Sequence, residues 1–326
     1  MVKHINLLCL LVLSLPLGVF AAKGQSPSKV SDLEKVRSAY RRYLAGTISD
    51  KKQILKNTQG TESIKELEPN KHGALMYKLA RDWYHHREDI SKKSFTKLFA
   101  QAYKQGYKAE GKRVTWYPGR NYQKALGLMV EDLDSPYKEQ CADFLFYNGH
   151  MAENLHWPDD HKGGIDTDYI YCDWFGAFGG VFYKGNDHEA IKNCQRLKRW
   201  LEIAFKASPG TDDFIKADGS SFHHWTHYNG YMYAFTELSH HLYMLHDTKF
   251  QINTQAYLFF RDAAYSLLIM CNGQNYANSL AGRRPFQTNL PMSQGAYKKL
   301  AKIGGKLLKS GEADPFLAGA YKRLWP

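Results

Sequence analysis

Apolar residues recur along this chain at spacings of three and four, from Val30 almost to the end. Leu75, Leu79 and Trp83 fall at i, i+4 and i+8, and Leu197, Leu201 and Phe205 repeat that spacing. Tyr257, Phe260, Ala264, Leu267 and Cys271 form a longer stripe. Such series cover one face of an α-helix, because about 3.6 residues complete a turn. No stretch sustains the alternation of β-branched and polar positions that a half-buried strand shows. Glycine and proline interrupt the pattern at intervals, among them Pro69, Pro118-Gly119, Gly163-Gly164, Pro209-Gly210, Gly219 and Pro315. Between the breaks lie roughly ten to twelve segments of ordinary helix length. Short connections make successive helices antiparallel neighbours. The expected fold is therefore all-α: helical hairpins closed into a toroid or left open as a solenoid. No fixed-period repeat is visible, which argues against the familiar solenoid families. No shift in composition marks a second domain.

The first residues break this pattern. Lys3 and His4 form a short basic start, Ile5 to Val19 is apolar, and Val19-Phe20-Ala21 supplies a cleavage-like end. This is the form of a secretory signal peptide over residues 1–21. No later stretch approaches the ~20 apolar residues of a membrane span. The expectation is a secreted or periplasmic protein with no stable membrane insertion. The mature part contains Cys141, Cys172, Cys194 and Cys271 and no CxxC pair, so zinc-ribbon and thioredoxin readings have no support. Their helical, apolar settings favour buried thiols over two disulfides.

Charge changes the picture further. Lys and Arg number 44 against 32 Asp and Glu, a net charge of +12, with pI ≈ 9.2. Such an excess attracts polyanions. The basic residues are dispersed, with no block of about five or six, so nucleic acid is not an expected partner. For an exported chain, acidic polysaccharide fits better. Seven Trp and 22 Tyr exceed what a core needs, and exposed rings suit stacking on sugar faces.

Four stretches concentrate chemistry. The first runs from Asp218 to Tyr231 and holds His223, His224, His227, Tyr228 and Tyr231. Imidazole titrates near neutrality and a tuned phenol moves protons, the groups that proton transfer at carbon needs. If a helix begins at Tyr228, His224 lies one turn before it and Tyr231 shares its face at i+3. His224 and Tyr231 are then the pair to converge on a groove, with His223 and His227 supporting or solvated. Trp225 adds a ring for a sugar face. The second stretch is Leu280–Phe286, where Arg283 and Arg284 on a Gly/Pro-rich loop form a fork for carboxylate or sulfate. The third is Gly163–Tyr169, whose Asp166 and Asp168 can ligate a hard cation or cap a helix, capping by Asp166 being favoured. The fourth is Thr115–Tyr122, expected as a turn in which Trp116, Arg120 and Asn121 form a sugar subsite. His240, His241 and His246 lack the spacing of metal ligands on one helical face.

Three blocks carry a resemblance: Asp218-Gly219-Ser220…His224…Tyr228-x-Gly230-Tyr231, then Leu242-Tyr243-Met244-Leu245-His246-Asp247-Thr248-x-Phe250, then Leu280-Ala281-Gly282-Arg283-Arg284-Pro285-Phe286. In order and spacing they resemble the chondroitin ABC lyases, family 8-type polysaccharide lyases built on an incomplete α/α toroid. The resemblance implies that residues 22–326 form the toroid catalytic domain, without the C-terminal β-sandwich domains. It implies β-elimination on chondroitin sulfate-type glycosaminoglycans, with hyaluronan and dermatan sulfate as further candidates. His224, Tyr231 and Arg283 match the catalytic histidine, tyrosine and arginine. Asp166 and Asp168 are similar to an Asp-x-Asp-Tyr segment linked to calcium in some members; no cofactor is required, and calcium is a candidate ligand. Trp116 and Tyr117 stand where the ABC enzymes carry a His–His pair, which argues against the iduronate epimer of dermatan sulfate. The family's orienting glutamate comes from the β-rich domain. The alternative is therefore a catalytically weak or inactive toroid that binds acidic polysaccharide. A hydrolase using paired carboxylates such as Asp166 and Asp173 is a third reading.

Overall fold

The computed structural model describes residues 27–47, 64–114, 116–227, 232–281 and 289–326. The apolar stripes become thirteen α-helices among them. In chain order these are α1 (Pro27–Ala45), α2 (Pro69–His86), α3 (Asp89–Lys104), α4 (Trp116–Met129), α5 (Tyr137–Asn148), α6 (Met151–Asn154), α7 (Thr167–Cys172), α8 (Trp174–Tyr183), α9 (Asp187–Ala204), α10 (Ala234–Leu245), α11 (Thr254–Ile269), α12 (Gln294–Leu307) and α13 (Pro315–Leu324). Polar side chains start several of them. Asp166, Asn186, Asn253, Ser293 and Asp314 each accept a hydrogen bond from the first turn of the helix they precede, satisfying N–H groups that have no partner inside the helix.

α8 is the hub. Its sequence is apolar or glycine all round, and all ten of its residues are buried, as such a helix must be. It packs against α1, α4, α5, α7 and α9. Glycines permit the closest of these approaches: a Cβ on Gly180 would lie 2.4 Å from the Phe146 backbone nitrogen on α5. Gly180→Ala is therefore expected to destabilise the protein by about 2–3 kcal/mol through overpacking. Thermal melting followed by circular dichroism checks this, and an unchanged midpoint contradicts it.

Helix pairs follow one another around this hub, α2 against α3 and α4, α10 against α12, and α12 against α13. α1 joins the two halves. The Arg37 Nε donates to the Phe182 carbonyl of α8 at 3.0 Å, and the Tyr40 hydroxyl donates to the Phe175 carbonyl. The Tyr43 hydroxyl reaches the Glu237 carboxylate on α10.

Two small sheets depart from the all-helical expectation. One is three-stranded and antiparallel, β1 (Phe214–Ile215), β2 (Ser221–His223) and β3 (Thr226–His227); the other is the hairpin β4 (Cys271–Asn272) and β5 (Asn275–Tyr276). Strands of two or three residues are too short to show alternation in sequence. The expected turn at Thr115–Tyr122 is instead the first turn of α4 from Trp116 onward. Proline is tolerated there because that turn's N–H groups have no helical partner. Cys141, Cys172 and Cys194 are buried free thiols, while Cys271 is only half-buried. Among the described residues no helix is long and apolar enough to cross a membrane. The leader-like residues 1–21 lie outside the described residues.

Candidate active site

The histidine run is a hairpin. Phe222 pairs with His227 and His223 with Thr226, leaving His224 and Trp225 as a two-residue loop. Both have positive φ, 48° and 65°, as the turn matching strand twist requires. Asn or Gly usually fills such positions, so a histidine and a tryptophan there are strained. Trp116 at φ 62° and Phe214 at φ 99° are strained nearby. Strain of this kind persists where surrounding structure enforces it, and it concentrates at functional sites. The hairpin is pinned from behind. Gly219, at φ 80°, passes so close to α11 that a Cβ would lie 2.4 Å from the Ser266 hydroxyl. Asp218 closes the turn by accepting from the Ser220 amide at 2.9 Å.

The turn separates two histidines with different environments. His223, at the end of β2, is 3 % exposed. Its Nδ1 lies 3.0 Å from Asp213 Oδ2 and its Nε2 3.4 Å from Asp168 Oδ2. Burial alone would lower its pKa, but the two carboxylates outweigh burial and raise it to about 9. His223 is thus a fixed imidazolium rather than a proton carrier. His224 packs tilted beside it, ring centroids 3.8 Å apart, with 44 % of its side chain exposed and its Nε2 3.9 Å from Asp168 Oδ2.

Asp168, in the first turn of α7, organises the site. Its Oδ1 accepts from the Tyr117 hydroxyl at 2.7 Å and from the Tyr233 hydroxyl. Burial pushes its carboxyl up, but bonds from His223, Tyr233 and Tyr117 hold it well below the usual carboxylate range. Burial and the Asp168 charge push the Tyr233 phenol up, and burial dominates the rise at Tyr117. Both phenols are therefore donors, not bases. Asp166 N-caps α7, accepting from the Tyr169 amide at 2.8 Å. Burial, and then the neighbouring Asp213, raise it to about 6 against that backbone hydrogen bond. The loop carrying Asp212 and Asp213 is held by Lys216, whose ammonium donates to the carbonyls of Ser208, Gly210 and Asp212 at 3.3, 3.0 and 2.5 Å.

Several of these groups line a cleft of about 740 Å³. The structure brings His224, Trp225, Trp116, Asp166 and Asp168 together in it, joined by Asp212, Asp213, His223, Trp157 and His161. Trp225 is 81 % exposed and Trp116 47 %, large rings at the rim without a packing role. Arg120 does not line the cleft: its Nη2 lies 2.5 Å from Glu237 Oε1 and its guanidinium 3.9 Å over Tyr171. Asn121 is exposed on α4 and does not line it either. Asp173 is buried, accepting from the Gln123 amide at 2.5 Å, which removes it from a hydrolase pair with Asp166. Tyr231, Arg283 and Arg284 lie outside the described residues. Sequence reasoning missed Tyr233 and Asp213, and treated His223 as peripheral. The one local signal was the acidic pair Asp212-Asp213 just before the histidine run.

The carboxylates and imidazoles of the cleft form two clusters of possible cation ligands. Asp166 groups with Asp213 and His223, and Asp168 with His223 and His224, each set with ligand atoms within 4.8 Å. Asp166 and Asp168 thus fall into different sets, and each set includes an imidazole. Calcium wants six or more oxygens. Asp168 is already filled by three donors, and the His223 ring lies between Asp168 and Asp213, the place a cation would take. Among the described residues the arrangement does not fit calcium.

Helical hairpins packed with α1, with a strained histidine turn and tryptophans at the rim of a polar cleft, define an incomplete α/α toroid. The chain belongs to the family described as "Lyase, catalytic", whose model matches residues 29–326. It is similar to the chondroitin sulfate ABC exolyase of Proteus vulgaris, 28 % identical over 178 residues, covering 46 % of this chain and 18 % of that protein. Its fold is similar to a chondroitinase AC lyase solved in complexes with oligosaccharides, with a TM-score of 0.61 at 14 % identity, over 90 % of this chain and 44 % of that one. The Streptomyces coelicolor A3 chondroitin AC lyase, solved with chondroitin sulphate, gives a TM-score of 0.60 at 11 % identity over 89 % and 44 %. The chain spans less than half the length of each of these relatives.

Proposed function

We propose that this protein is an exported polysaccharide lyase that cleaves chondroitin sulfate-type chains by β-elimination, with hyaluronan as a second substrate. The observation that carries the reading is His224, held in a strained turn at the rim of a tryptophan-edged cleft within a lyase-family toroid. Elimination takes the C5 proton of a uronate and expels the oxygen on C4, so that a C4–C5 double bond forms and no water is consumed. A base must accept the C5 proton, an acid must deliver a proton to the leaving oxygen, and the uronate carboxylate must be neutralised while charge builds on C5. Tyr231 is assigned the proton transfers and His224 the carboxylate or a share of the proton. Arg283 is assigned the stabilisation of the ionised phenol. Locking the neighbouring protons on His223, Tyr117 and Tyr233 leaves His224 as an exposed imidazole at the cleft rim. Trp116 and Trp225 are assigned to sugar faces. The reaction runs on side chains, without a required metal.

The test is ultraviolet absorbance of the conjugated uronate on a panel of glycosaminoglycans. Chondroitin sulfate and hyaluronan are expected to give a rise, dermatan sulfate less and heparin none, with the rates unchanged by calcium or a chelator. Retention of chondroitin sulfate with no rise on any chain would select the binding-only toroid instead.

A further inference from the structure

The cleft beside His224 is acidic, since Asp166, Asp168, Asp212 and Asp213 line it. A sulfated, carboxylated chain cannot settle all its charges there. Beyond the cleft the wall is aromatic: Tyr117 packs on Tyr171 and Tyr171 on Tyr233, with ring centroids 5.5 and 4.8 Å apart. On the far side of Tyr171 the charge reverses. The Arg120 guanidinium covers the Tyr171 ring at 3.9 Å, and Lys124 follows one turn later on α4.

We propose that Lys124 on α4 and Lys299 on α12 form an anion subsite for a sulfate or carboxylate of a sugar lying beyond the tyrosine wall from His224. The proposal rests on the glycosaminoglycan reading above and extends it. Lys124 Nζ lies 4.1 Å from the Phe175 ring centroid. Lys299 Nζ lies 5.6 Å from Tyr43 and 5.7 Å from Tyr243. Phe175 and Tyr43 stack, 6.1 Å apart and 13° from parallel, so the two ammonium groups lie over neighbouring rings.

Glu237 is the carboxylate within reach of this cluster, and it is already engaged, accepting from Arg120 at 2.5 Å and from the Tyr43 hydroxyl. Neither lysine has a hydrogen-bonded or ion-paired carboxylate among the described residues. His240, packed 4.8 Å from the Tyr43 ring, adds no counter-charge: burial and Lys299 lower it to about 4, so it is neutral. Arg120, Lys124 and Lys299 against Glu237 leave two positive charges unbalanced on half-buried, aromatic ground. Burial, and next to it Arg120, lower the Lys124 ammonium to about 8. It remains charged near neutrality, in a setting that an incoming anion improves.

Equilibrium binding of a chondroitin sulfate oligosaccharide and of its desulfated counterpart, at several salt concentrations, tests this. The paired variant Lys124→Met/Lys299→Met keeps the aliphatic packing and removes the charges. It is expected to bind the sulfated chain about tenfold more weakly, with a shallower salt dependence, at a melting temperature equal to or above that of the wild type. Lys124→Arg/Lys299→Arg is expected to retain binding. Loss confined to the sulfated chain identifies sulfate as the bound group, and equal loss on both chains identifies the carboxylate. Unchanged affinity in the methionine pair, or equal loss in both pairs, overturns the subsite while leaving the lyase reading standing. A wild type that binds neither chain overturns both.

Discussion

Asp168→Asn is expected to destabilise the site by about 3–5 kcal/mol and to abolish measurable turnover. The change leaves the buried His223 imidazolium with Asp213 and the more distant Asp166, and removing one partner of a buried ion pair costs that much because the remaining charge is under-compensated. It also replaces a charged acceptor for the Tyr117 and Tyr233 hydroxyls with a neutral amide. The pH dependence of stability gives an independent readout. An imidazole raised to about 9 in the fold, from ~6.5 in the unfolded chain, stabilises fully below ~6.5. That contribution, on the order of 3 kcal/mol, is lost as pH rises through about 9. The Asp168 carboxylate, held low, contributes above ~4 and is lost on acidification. Denaturant unfolding across this range is expected to show the alkaline decline in the wild type and a much flatter one in Asp168→Asn. Lys124 and other groups titrate in the same range, so the difference between the two proteins isolates His223. Parallel curves would show that His223 is not the imidazolium described.

His224→Ala is expected to leave the fold intact and to lower turnover by about 10²–10⁴-fold, the range for loss of a positioned proton-transfer group. The side chain is 44 % exposed, so its removal opens no cavity. The turn offers a control. His224→Gly is expected to lose as much activity while melting slightly higher than His224→Ala, because glycine accepts φ 48° without strain. Tyr231→Phe is expected to match His224→Ala in turnover, with unchanged affinity for the polysaccharide. Full activity in His224→Ala would remove this histidine from the chemistry and point to other groups of the cleft.

Much of the helical framework was legible because its signals are local. The stripe Leu75–Leu79–Trp83 lies on α2 and Leu197–Leu201 on α9 as the spacing predicts, with Phe205 at the C-cap of α9, and Asp166 caps α7. The site was legible in its residue types more than in its geometry. The helix start expected at Tyr228 lies outside the described residues, and the run just before it is a hairpin whose strands have two or three residues. No periodicity can develop over that length. Arg120 beside Trp116 reads as a sugar ligand, but Glu237, 117 positions away, claims it. The Asp168–His223–Asp213 cluster likewise joins three segments that only the packing of α7 against the loop before β1 brings together. Pairings over such separations leave no local pattern. Trp116, Trp225 and His224 do share the cleft, as their chemistry suggested.

The central claim is elimination by this chain, and the mass of its products tests it most directly. A defined chondroitin sulfate oligosaccharide is incubated with the protein and the fragments are weighed by mass spectrometry. Fragment masses that sum to the mass of the intact chain, with the double bond on the uronate-bearing piece, are the expected result, and His224→Ala should give almost none of them. Fragments that together carry one added water would mean hydrolysis, and an intact chain would mean a binding module; either contradicts the lyase assignment.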